Sequence, residues 1–320
     1  MNERKALLVG GSGFLGSAVA AHLAAQGWEL TIPTRRRERV RHLLVLPTVD
    51  VVEADVHDPA VLAELVAGQD AVVNLVGVLH SREGRPWGSQ FEAAHVALPK
   101  KIVAACKARG VGRLVHVSAL GADPAGPSGY QRSKAAGEAA VRAGAPEVGG
   151  TLLRPSVVFG PGDRFVNLFA SLLGVFPLLP LAGAATRFQP VYVEDVARVV
   201  ARCLVDPATV GQTFELAGPQ VYTLAELVAY VGRLTGHPRP VIGLPPALGM
   251  LQAALMEWLP NPPMSRDNVR SLSVDNVASG PPLPLGLVPT PLETVAPGWL
   301  AGAGLRGRYG EFRRIAARGY

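Results

Sequence analysis

A chain of 320 residues, 48% hydrophobic and 18% charged, can bury a large core and is too apolar for extended disorder. Its net charge of +6 raises the question of an acidic partner, yet no aromatic-rich basic groove accompanies the arginines, which argues against nucleic acid. Two cysteines, Cys106 and Cys203, lie far apart in sequence, which excludes a disulfide framework and a zinc site and points to a reducing, cytoplasmic compartment.

Lys5-Ala6-Leu7-Leu8-Val9 reads as a buried parallel strand that begins too close to Met1 to leave room for a signal peptide. Gly10-Gly11-Ser12-Gly13-Phe14-Leu15-Gly16 follows, then a helix from Ser17. A dinucleotide diphosphate needs this order of parts. Gly10 and Gly13 let backbone approach phosphate, Phe14 and Leu15 open a helix with free amides, and Gly16 permits close helix packing. Strand two is expected over 28–32. A carboxylate just past it would bind an adenosine ribose, but this chain has Thr34-Arg35-Arg36. Arginine forks suit a 2′-phosphate, so Arg35 and Arg36 point to NADP(H), with NAD(H) the alternative.

Strand three, 49–53, leads to Asp55 and Val56, where an adenine ring would rest, and Asp58-Pro59 caps a helix over 60–67. Strand four, 70–77, ends in Leu75, Val76 and Gly77, the last small enough to admit ribose and phosphate. One long helix, 90–109, precedes strand five, 113–118. Tyr130 and Lys134 then share a helical face at i, i+4, an arrangement in which an ammonium stabilises a phenolate for acid/base work, and Ser118 is the nearest upstream hydroxyl. The βαβαβ alternation predicts an α/β fold, a Rossmann-type doubly wound parallel sheet.

These parts resemble the short-chain dehydrogenase/reductase superfamily, in its extended and atypical branches. The resemblance covers residues 5–236 and includes Arg154-Pro155-Ser156-Val157-Val158-Phe159-Gly160-Pro161-Gly162. It implies that the backbone at Pro155, Val157 and Val158 faces a nicotinamide ring. Over nearly its whole length the chain is similar to the atypical group that contains the NADPH-binding accessory subunit 9 of respiratory complex I. Asn74 to Leu79, His116 to Ala122, Gln189 to Asp195 and Leu259 to Pro263 carry that likeness. It implies a cofactor held for structure and a respiratory complex or other protein as partner. Two departures from active members stand out. His95 replaces the usual helix-four Asn, and the customary Ser or Thr just past strand five falls at Ala119 or Leu120.

Residues 163–187 read as a cleft insert, a helix over about 164–173 and then an apolar loop, with core burial favoured over membrane contact. Thr223-Leu224-Ala225-Glu226 opens a capped helix that Gly236 closes. The division expected is a nucleotide domain over 1–236 and a helical, Pro-rich region over 237–320, without strands, ending in a basic tail. That tail could meet an acidic subunit or the inner face of the cytoplasmic membrane. No metal-ligand spacing occurs among the histidines. The function expected is an NADP(H)-binding accessory protein. The alternatives are a working reductase, epimerase or dehydratase using Tyr130 and Lys134, and an NADP(H) redox sensor.

Overall fold

In the computed structural model, which describes residues 4–260 and 262–301, seven parallel strands form one sheet. They are β1 Lys5–Val9, β2 Glu29–Thr34, β3 Val49–Glu53, β4 Ala71–Asn74, β5 Arg113–Val117, β6 Gly149–Pro155 and β7 Thr213–Leu216. Their order is β7-β6-β5-β4-β1-β2-β3. Ala6 to Val9 are wholly buried, as the central strand of a sheet covered on both faces requires. Helices α1 (Phe14–Ala25), α2 (Pro59–Val66), α3 (Leu98–Arg109) and α4 (Gly129–Arg142) follow in chain order. Asp58 accepts from the Ala60 amide at 2.8 Å and caps α2 beside Pro59, as expected.

Beyond the sheet lie α5 (Phe165–Val175), α6 (Val193–Val205), α7 (Leu224–Leu234), α8 (Pro246–Met256) and α9 (Arg266–Ser271). One core layer packs α1 and α6 against the sheet around Leu23, Ile32, Val199 and Val200. The opposite layer packs α2 to α4 around Leu62, Leu98, Ile102 and Val141. A third cluster joins Phe169, Leu173, Leu179 and Leu181 to Leu227, Val231, Leu292 and Leu300, so the carboxyl-terminal region shares its core with the 165–182 segment.

Four local expectations change. The long helix over 90–109 is three pieces: a turn at Ser89–Phe91, a π-helical stretch at Glu92–Ala97, and α3. The supposed loop after α5 contains a strand, Leu179–Ala182, paired in parallel with Val241–Leu244. Thus a strand occurs in the region expected to have none. Strand four stops at Asn74, short of Gly77. The 165–185 stretch buries Val166, Phe169, Leu173, Leu179 and Leu181, as expected of core, and among the described residues no helix is long and apolar enough to cross a membrane. The basic tail lies outside the described residues.

Candidate functional site

Parallel strands deliver every predicted nucleotide contact to one sheet edge. The order reverses at β1, leaving a crevice between the loops after β1 and β4. Gly10 sits at φ +87°, and a Cβ there would lie 3.0 Å from the Val76 amide nitrogen, so the two loops touch through bare backbone. Gly16 faces the loop so closely that a Cβ would lie 2.3 Å from the Gly10 oxygen. Gly13 differs: a Cβ there would meet only that oxygen, at 3.3 Å. Gly13 caps α1 without a side-chain bond, and among the described residues the amides of Phe14, Leu15 and Gly16 have no acceptor. Three aimed donors beside an open glycine make a cradle that fits a diphosphate.

Arg35 and Arg36 extend into solvent beyond β2, and Thr34 Oγ1 accepts from the Arg36 amide at 3.4 Å. Thr34, Arg35 and Arg36 carry no carboxylate, and the nearest one in register is Glu53 at the end of β3, paired with Thr34. Asp55 bends its own loop instead, accepting from the His57 amide at 2.9 Å, with Val56 half-buried beside it. Leu75 and Val76 are half-buried on the β4 loop, and Gly77 is exposed next to Lys134. A Cβ on Gly77 would lie 3.2 Å from Lys134 Nζ. The predicted Tyr–Lys pair is assembled: Lys134 Nζ stands 6.0 Å from the Tyr130 ring centre and donates to the Val117 oxygen at 3.3 Å. Burial pushes the Tyr130 phenol up to about 12 and draws the Lys134 ammonium down to about 8, Glu138 opposing the latter.

His95 lies on the π-helical stretch, stacked on Phe91 and edge-on to Tyr130, with ring centres 5.2 and 5.5 Å away. Its Nε2 accepts from the Val78 amide at 3.1 Å, which leaves the proton on Nδ1 to meet Ser133 Oγ at 2.9 Å. Ser133 in turn donates to the Tyr130 oxygen. Burial, then the Lys134 and His116 charges, hold the ring neutral by lowering it to about 2. With both nitrogens engaged, His95 pins the β4 loop to α4 and has no free position from which to pass a proton. His116 accepts from the Asn74 side chain through Nδ1 at 3.0 Å, and its Nε2 has no partner. Ser118, one residue past β5, is likewise buried, and its Oγ has no hydrogen-bond partner among the described residues, Tyr130 included.

Sequence reasoning missed the residues that close the site from the carboxyl-terminal side. Asp267 accepts from the Gly129 and Tyr130 amides at 2.7 and 3.0 Å, so a distant carboxylate caps the helix that carries Tyr130 and Lys134. Asn268 bonds His80 at 2.9 Å and the Leu79 oxygen at 3.1 Å. Asn276 receives Ser156 Oγ at 2.6 Å and the Val157 amide at 3.2 Å, and donates to the Leu120 oxygen at 3.3 Å. The predicted nicotinamide-facing stretch Pro155–Val158 is therefore bound to residue 276. The Ser265 capping box with Asn268 is readable in sequence, but the bond that Asp267 accepts from Tyr130, 137 residues upstream, is not.

The model of the NAD dependent epimerase/dehydratase family matches residues 6–217. The chain belongs to that family. It is 36% identical over 300 residues to NADH dehydrogenase [ubiquinone] 1 alpha subcomplex subunit 9, mitochondrial, of Mus musculus, covering 90% of this chain and 77% of that one. It is 29% identical over 312 residues to ceramide reductase of Caulobacter vibrioides, covering 92% and 95% of the two chains. Among solved structures, dTDP-glucose 4,6-dehydratase DesIV of Streptomyces venezuelae, with NAD and TYD bound, has a TM-score of 0.65 at 23% identity, covering 75% of this chain and 84% of that one.

Ser118 follows β5 directly, and Ala119, Leu120, Gly121 and Ala122 after it carry no hydroxyl; Ala119, Leu120 and Ala122 are buried. The free amides of the glycine loop could hold the diphosphate of a nicotinamide dinucleotide. Among the described residues no cluster of side chains could hold a metal ion.

Proposed function

We propose that this epimerase/dehydratase family member binds NADP(H) and keeps it as a stabilising cofactor in an accessory role within a larger assembly. The observation that carries this reading is the end of β2, where Thr34 is followed by the exposed Arg35 and Arg36 instead of an acidic residue. A guanidinium fork satisfies a 2′-phosphate, and a carboxylate would repel it. The accessory role draws support from the bare stretch 119–122 and from His95, whose two ring nitrogens are both occupied. It also fits the 36% identity with a complex I subunit. A respiratory complex, or another protein near the inner face of the cytoplasmic membrane, is the partner this reading implies.

Arg35→Asp is expected to weaken NADPH by about 10- to 100-fold, the loss of one charge-assisted contact, while NADH changes little. Titration of each coenzyme by calorimetry checks this, and equal losses would remove the basis for NADP(H).

A second reading, a working reductase, is favoured by one observation: Tyr130 and Lys134 remain paired. A bound nicotinamide ring would supply hydride, and Tyr130 would supply or accept the proton with Lys134 lowering its cost. Mass spectrometry of molecules released from freshly purified protein, with turnover assays on Tyr130→Phe, separates the readings. An accessory protein releases stoichiometric NADP(H) and oxidises it slowly whether or not Tyr130 is changed. Rapid NADPH oxidation by a carbonyl compound, abolished in Tyr130→Phe with the cofactor retained, would instead establish the reductase.

A further inference from the structure

Helix α8 buries only its narrow edge. Gly249 and Ala253 pack inward, where a Cβ on Gly249 would lie 2.8 Å from that of Ala182. The opposite ridge is left uncovered: Leu248, Leu251 and Leu255 are 51, 56 and 66% exposed at helical spacing. Trp258, just past the helix, is 89% exposed. Two more apolar side chains are exposed on the elements packed beside the helix: Ile242, paired with Pro180, is half exposed, and Phe176, just before that strand, is 49% exposed. A cluster of exposed large apolar side chains marks a contact.

Charge says what kind. Residues 164–193 and 227–256, the stretches that include these exposed side chains, contain no Asp or Glu. Glu257 follows the helix but is engaged by Arg266 at 2.9 Å. The same stretches carry exposed Arg233, His237 and Arg239, and Arg239 Nε donates to the Leu173 oxygen at 3.4 Å, next to the 175–178 segment. A second copy of the chain would bring these cationic side chains together, whereas anionic headgroups would neutralise them while leucines entered the acyl boundary. An exposed indole suits that depth, with one end apolar and one able to donate. The sequence also continues from Leu300, packed in the same cluster as Leu173 and Leu179, into 302–320, with five arginines and one glutamate.

We propose that the α8 ridge, with Trp258, is a membrane-docking face for an anionic phospholipid bilayer. The proposal does not depend on which coenzyme the crevice takes. The test is sedimentation of the full chain with vesicles of phosphatidylcholine and phosphatidylglycerol at 7:3, or of phosphatidylcholine alone. The intact protein binds the anionic vesicles, less at high salt, and Leu251→Ser/Leu255→Ser/Trp258→Ser loses about tenfold or more. Retained dinucleotide shows that the variant is folded, and Leu255→Glu alone, at an exposed position, provides an independent check with the same expected loss. Tryptophan emission of the intact protein shifts to the blue on vesicle addition, and Trp258→Phe abolishes the shift. Equal binding by intact and triple-variant protein, or none by either, would overturn the proposal. So would a lipid-free dimer in analytical ultracentrifugation that the triple variant dissolves, since a second copy would then be the occupant.

Discussion

Gly16→Ala is expected to cost about 3 kcal/mol or more of folding stability, lowering the midpoint of thermal unfolding by roughly 6–12 °C, and to abolish dinucleotide binding. The added methyl would stand 2.3 Å from the Gly10 oxygen and 2.6 Å from the Gly11 Cα, and backbone cannot swing aside as a side-chain tip can. Either α1 lifts away from the sheet, losing contacts around Val19 and Leu23, or the β1 loop opens. Gly13→Ala is the informative contrast. Its backbone, at φ −82°, accepts alanine without strain, and its methyl would meet one atom, the Gly10 oxygen at 3.3 Å, which has to give by only a few tenths of an ångström. Stability should stay within about 0.5 kcal/mol while binding falls, because the methyl occupies the space a diphosphate needs. Scanning calorimetry with coenzyme titration on both variants checks the pair. Retention of binding in Gly13→Ala would place the diphosphate elsewhere.

The second large effect is acid destabilisation. His95 and His116 are held neutral at about 2 and about 3, against 6.5 for an ordinary histidine, chiefly by burial. Both folded values lie below the unfolded value, so the unfolded chain takes up the protons first. The stability these rings contribute is fully present above pH 6.5 and is lost as pH falls toward 3. Each ring contributes a slope that rises toward about 1.4 kcal/mol per pH unit below pH 6.5, so the pair costs about 3 kcal/mol between pH 6.5 and pH 5. Urea denaturation at pH 7 and pH 5 measures it. His95→Asn should make the slope shallower by about half, and a urea midpoint that does not move between those pH values would contradict the burial of both imidazoles.

The candidate motifs were legible because their information is local. Gly10 to Gly16, Arg35-Arg36 and Tyr130/Lys134 each declare themselves within seven residues, and parallel topology then puts the loops after β1, β2 and β5 at the same end of the sheet. The Asp58-Pro59 cap and the Thr223/Glu226 box were readable for the same reason. What escaped depended on contacts distant in sequence. The π-helical turn at Glu92–Ala97 is placed by tertiary packing: the His95 oxygen comes so near Gly137 that a Cβ there would lie 2.2 Å from it, and no propensity encodes that approach. The strand Val241–Leu244 was hidden because Pro238, Pro240 and Pro245 crowd its four residues, and it forms only by pairing with Leu179–Ala182. His95 could be seen as a substitution, but its engagement at both nitrogens could not. Asp267 and Asn276 sit in a Pro-rich region whose composition says loop, and their partners lie more than one hundred residues earlier.

The hydrogen bonds from Asp267 and Asn276 also set an order of events during synthesis. A nascent chain will have made its glycine loop and its Tyr–Lys helix long before the residues that lock them have been translated. Until residues 267 and 276 have been translated, Gly129, Tyr130, Ser156 and Val157 lack these acceptors, so a chain truncated before residue 267 is expected to hold both segments more loosely.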